Sequence, residues 1–170
     1  MSRPDCIQHW SELENPEAGR YPGSLEEMGY AARFGQHFGF ARLGVNHVRL
    51  EPGRRSSLPH CESTEDELIL VLEGAPDVWL DGSLHRLQAG DAVGFKAGDG
   101  LCHTFINNTD QTVRLLVLGD ARRADNRYHY PLNPERNAAA GSEHWTDAPA
   151  RPDGGHDGLP DKLRDSNGPF

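Results

Sequence analysis

Residues 58–74, LPHCESTEDELILVLEG, set one histidine, one cysteine and four carboxylates directly ahead of an almost unbroken apolar run, with a fifth carboxylate, Glu73, behind it. Imidazole nitrogens and carboxylate oxygens at that density can hold a divalent cation or move protons. On an extended strand, residues two apart point to the same face, so His60 and Glu62 project together while Cys61 points away. Glu67 opens the next strand and can face the same cavity, and His103, in GLCHTFINN, sits at the start of a later one. Two imidazoles and two carboxylates converging from rigid elements form a ligand set for a divalent metal. The bland alternative is a hydrogen-bonded surface cluster of His60 with its neighbouring acids. The same parity places Leu58, Ile69, Val71 and Phe105 inward, either as the apolar wall of a substrate pocket or as plain core packing. It turns the thiols of Cys61 and Cys102 to the opposite face. Of the other histidines, His47 is the one best placed to reach the cavity.

The elements that must position these side chains are short strands. Ser63-x-x-Asp66 and Thr64-x-x-Glu67 match a helix capping box, but the apolar run behind them is only five residues, contains Ile and Val and ends at Glu73-Gly74. A strand suits it better. Further strand-like runs cover residues 78–80, 84–87, 92–95, 103–107 and 113–118, with another within 38–50. Asp81-Gly82 between two of them suits a type I′ hairpin turn. Ser24, with Glu27 three residues later, predicts one short helix over residues 24–33. Many short antiparallel strands without a long helical period indicate an all-β barrel or jelly roll. We divide the chain into an N-terminal extension (1–35), a barrel (36–120) and a Pro/Gly/Asp-rich C-terminal arm (121–170) that is too poor in aliphatics to form its own core. Trp145, Tyr128 and Tyr130 are the arm's expected anchors, and the two tyrosines could shade the cavity mouth.

Charge and composition exclude several classes. Seventeen Lys plus Arg against 26 Asp plus Glu give a net charge of -9, which repels phosphate backbones and anionic membranes, so neither nucleic acid nor membrane is an expected partner. No apolar stretch reaches a membrane span or the core of a secretory signal, and three widely spaced cysteines fit reduced thiols; a cytoplasmic protein is expected. A P-loop, a nucleophile elbow and a C-x-x-C pair are absent.

Residues 38–119 resemble the cupin family. Its first motif, G-x5-H-x-H-x3,4-E-x6-G, is matched by Gly53, His60, Glu67 and Gly74, and its second, G-x5-P-x-G-x2-H-x3-N, by Gly90, Gly98, His103 and Asn107. Loop lengths differ slightly and Lys96 stands where the family usually has proline. The departure that touches chemistry is Glu62, which occupies the position of the second motif histidine. The resemblance implies an all-β cupin-type double-stranded β-helix, or jelly-roll barrel, in a homodimer. It also implies a divalent transition metal held by His60, Glu67 and His103, with Glu62 as a fourth ligand or as a free catalytic base. Oxygen-rich ligation favours Fe, Mn or Zn over copper. The implied activity is that of a metal-dependent enzyme, a dioxygenase, isomerase or lyase, acting on a small oxygenated substrate. The alternative is a non-catalytic cupin that binds or senses a small molecule.

Overall fold

The structure, a computed structural model, describes residues 3–165. Ten strands carry it: β1 (Tyr30–Arg33), β2 (Leu43–Leu50), β3 (Cys61–Glu62), β4 (Glu67–Glu73), β5 (Asp77–Leu80), β6 (Ser83–Arg86), β7 (Ala92–Phe95), β8 (His103–Ile106), β9 (Val113–Asp120) and β10 (Tyr128–His129). All pairings are antiparallel, in sheets of order β1-β2-β9-β4-β7, β6-β5-β8 and β10-β3. Isolated bridges from Arg55 to Ile106 and from His60 to His103 continue the second sheet into the third. The result is an all-β barrel of two facing layers.

Alternation places one apolar face of each strand between those layers. Leu50, Ile69, Val71, Val78, Phe95, Phe105, Val113 and Leu115 form the core and are almost fully excluded from solvent. At roughly 1.5–3 kcal/mol per buried aliphatic or aromatic side chain, this cluster is the main source of stability. The β5-β6 hairpin closes as its sequence demands, with φ of 43° at Asp81 and 85° at Gly82, both positive as a type I′ turn requires.

The N-terminal extension departs from expectation. Residues 24–29 take no helix; Ser24 Oγ accepts the Glu26 N–H in a local turn, and residues 30–33 pair as β1 with β2. The short helices fall elsewhere, as α1 (Trp10–Leu13) and α2 (Phe34–His37) before the barrel and α3 (Pro134–Ala140) and α4 (Asp161–Asp165) in the arm. The arm folds back on the barrel of its own chain. Trp145 packs with Cys61, Trp79, Cys102 and Ile106, and Trp79 Nε1 donates to the His156 carbonyl at 2.8 Å.

Candidate functional site

The site is built on the contact between the two motif histidines. His60 N–H donates to the His103 carbonyl at 3.1 Å and His103 N–H to the His60 carbonyl at 2.9 Å, so their side chains leave the sheet side by side, ring centroids 5.2 Å apart. Each Nδ1 faces the carbonyl two residues earlier, His60 at 2.8 Å from Leu58 O and His103 at 3.4 Å from Leu101 O. The Leu58 carbonyl calls for the proton on His60 Nδ1 and leaves His60 Nε2 as its basic nitrogen. Phe95 stacks on His103 at 3.5 Å and Tyr130 on His60 at 5.8 Å, limiting rotation of both rings.

The two carboxylates arrive from either side. Glu67, first residue of β4, brings Oε2 to 2.8 Å from His103 Nε2. Glu62 brings Oε1 to 3.9 Å from His60 Nε2, so the two share a face. Burial alone would raise the Glu67 pKa, but its hydrogen bond to His103 and the charge of both imidazoles hold it below the usual carboxylate value. Glu62 goes the other way: burial, then the charges of Glu67 and Glu65, push its pKa up to about 8. Burial and then His103 bring the His60 pKa down to about 4, with Glu67 opposing. Two carboxyl groups in one cavity with pKa values driven apart are of the kind that can divide acid and base roles between them.

A void of about 10 Å³ beside these groups is lined by Glu62, Glu65, Glu67, Phe95, Lys96 and His103, with Cys61 also at its edge and His60 outside its lining. That is room for a single water or ion. Among the described residues, no three His, Cys, Asp or Glu side chains stand in a ready metal-holding group. The four candidates form two pairs instead, Glu67 with His103 and Glu62 with His60. In donor type, anchored Nδ1 atoms and ion-sized space, the residues fit a divalent metal.

Other expected residues lie elsewhere. Ile69, Val71 and Phe105 sit in the core, with Phe105 edge-on to Phe95, and Leu58 lines a separate cleft of about 660 Å³ beside Tyr21 and Arg136. The apolar lining of the void is Phe95 and Leu101. His47 does not reach it: the ring is buried under Trp10 of α1, 4.5 Å away. Glu65, Lys96 and Asn126 join the site without having been singled out. Asn126 is buried, and its Oδ1 accepts the Thr64 N–H at 3.1 Å, fixing the turn between Glu62 and Glu67. Glu65 and Lys96 lie in turns, where no periodicity marks the facing.

No helix among the described residues is long and apolar enough to cross a membrane. The model of the family described as "Cupin domain" matches residues 46–119. No curated protein matches the chain in sequence. Among solved structures, it is similar to a sugar phosphate isomerase from a cupin superfamily of Silicibacter pomeroyi, at 35% identity and a TM-score of 0.67 over 73% of this chain and 80% of the other. The polyketide cyclase RemF of Streptomyces resistomycificus shares the fold at 22% identity and a TM-score of 0.60, over 84% and 96% of the two chains. A Thermus thermophilus protein does so at 23% and 0.51, over 69% and 98%. With both motifs in order on an antiparallel barrel, and a relative at that level of identity over most of its length, the chain belongs to the cupin superfamily.

Proposed function

We propose that this cupin is a metal-dependent isomerase acting on a small hydroxy-carbonyl compound of the sugar-phosphate class. The observation that carries the reading is the 2.8 Å approach of Glu67 to His103 Nε2 beside a second carboxyl, Glu62, whose pKa is pushed up to about 8. His60, Glu67 and His103 would hold the ion, and Glu62 would ligate it or stay free. A bound Mn²⁺, Fe²⁺ or Zn²⁺ would supply Lewis-acid polarisation of the substrate oxygens.

Interconversion of an aldose and a ketose moves one proton between adjacent carbons. A carboxyl with a pKa near the working pH suits both halves of that transfer, taking the proton from one carbon as carboxylate and returning it to the next as acid. Glu62 is such a group. Lys96, exposed at the same void, offers positive charge to an anionic substrate group. Likeness to the Silicibacter isomerase supports the choice of reaction. A void of about 10 Å³ admits an ion but not a sugar, so substrate entry requires the Tyr128 and Tyr130 segment or the loop after Phe95 to yield.

The test is exchange of the C2 hydrogen of aldose phosphates with deuterated solvent, followed by NMR on protein loaded with each metal. We expect exchange and product formation in the wild type, and a loss of about 100-fold or more in Glu62→Gln. Ligand-induced thermal stabilisation without exchange, across aldose, ketose and keto-acid substrates, would reject the enzyme in favour of a binding protein.

A further inference from the structure

The two strands that present His60 and His103 also present a pair of thiols on the opposite face. Because His60 and His103 exchange both backbone hydrogen bonds, the next opposed pair, Cys61 and Cys102, is of the non-hydrogen-bonded kind. The backbone of Cys102 is engaged by Asp81 instead, and that of Cys61 by β10. Opposed residues of that kind stand about 4.5 Å apart at Cα, inside the roughly 4.4–6.8 Å window that a disulfide spans without moving the backbone. The side chains agree: the Sγ atoms are 2.7 Å apart, and both residues are buried beside Trp79, Ile106 and Trp145. Both cysteines are free, as is the exposed Cys6.

We propose that Cys61 and Cys102 are a redox-convertible pair, oxidised by hydrogen peroxide or an organic hydroperoxide to a disulfide that clamps the two histidine-bearing strands. Cys102 lines a cleft of about 320 Å³ with Asp81, Gly100, Pro149 and Arg151, wide enough to admit a small peroxide. The contact with Cys61 and then burial raise the Cys102 thiol pKa, so the attack is slow: as its sulfur gives up the proton and attacks one peroxide oxygen, the O–O bond breaks, leaving a sulfenic acid and releasing water or an alcohol. The Cys61 sulfur then attacks the sulfenic sulfur, the S–S bond forms, and the hydroxyl leaves as water with the Cys61 proton. Two thiols and one peroxide become one disulfide and two molecules of water, or one of water and one of alcohol. The two electrons lost by sulfur reduce the peroxide. Cys6, exposed and far away in sequence, takes no part.

The clamp closes a loop between positions 41 residues apart, which removes conformations from the unfolded chain. The site histidines keep their spacing, since their strands are already joined by the bonds between His60 and His103. The inference stands whether or not the site holds metal.

The experiment treats the full chain with hydrogen peroxide, unfolds it, alkylates free thiols and maps peptides by mass spectrometry. We expect the alkylated thiols to fall from the three of the sequence to one, with the peptides carrying Cys61 and Cys102 linked. The melting temperature should rise by about 5 °C or more, and dithiothreitol should reverse it. Cys102→Ser should keep its two remaining thiols, Cys61→Ser should stop at a sulfenic acid on Cys102, and neither should form the link or show the rise; if either fails to fold, the wild-type map decides. Three thiols surviving treatment, sulfinic or sulfonic acid at either position without the link, or a Cys6 dimer as the sole product would each overturn the proposal.

Discussion

Glu62 is the residue on which the proposed chemistry turns, and its protonation has a measurable signature. In the unfolded chain it ionises around its ordinary value, while in the fold it holds its proton to about pH 8. Across that window the native state binds more protons than the unfolded state, so stability falls as pH rises, by up to about 1.4 kcal/mol per unit from this group. His60 acts oppositely: its pKa is brought down to about 4, so its neutral form is favoured and stability is lost as pH falls from about 6.5 to 4. Denaturant melts of metal-free protein between pH 6.5 and 8 should therefore show declining stability in the wild type and little decline in Glu62→Gln; parallel profiles would refute the assignment. Removing His103 should cost about 1–3 kcal/mol, because Glu67 loses its hydrogen-bond partner in a half-buried setting. At this scale strand parity was legible in advance. It put His60 and Glu62 on one face and turned both thiols away. Parity reports facing but not depth, which is why Ile69, Val71 and Phe105 lie one layer beneath the void instead of lining it.

Among the elements, the β5-β6 hairpin is the part the sequence specified most tightly. Gly82 sits at φ 85°, and a Cβ there would fall 2.3 Å from Asp153 Oδ1 and 2.4 Å from the Gly154 nitrogen. Gly82→Ala is thus strained in the turn and also displaces the arm packed over it; we expect a loss of about 1–3 kcal/mol, read by chemical denaturation, where an unchanged midpoint would contradict the packing. Strands β4 through β9 were readable to within a residue or two, because branched and aromatic runs bounded by Gly and Asp leave few alternatives. Residues 24–33 were not. Their local signals suit a helix, but pairing with Arg49, Val48, His47 and Asn46 of β2 supplies β1 with a ladder that no local pattern reveals. The same strand explains His47, whose face was misjudged because Trp10, 37 positions earlier, covers it.

Over the whole molecule, one buried ion pair joins all three segments. Arg55 pairs bidentately with Glu26 at 2.7 Å and donates to the Gly158 carbonyl at 2.8 Å, tying extension and arm to the barrel. Arg55→Ala leaves Glu26 buried and unpaired and should cost about 3–5 kcal/mol, whereas the double change with Glu26→Gln should recover much of it; equal losses would show that the charge pair is not what holds the segments. Composition indicated that the arm could not fold alone, and Trp145 and Tyr130 are buried as expected of its anchors, but nothing local told where it would dock. The central claim, that His60, Glu67 and His103 surround a cation with Glu62 beside them, belongs to the complete fold, since the four come from three separate stretches of chain. Its most direct test is calorimetric titration of the full-length, metal-stripped protein with Mn²⁺, Fe²⁺ and Zn²⁺ at two pH values. The account predicts about one ion per chain, tighter binding at pH 8 than at pH 6.5 with proton release, and loss of binding in His103→Ala. Absence of binding by the wild type, or equal binding by His103→Ala, would contradict it.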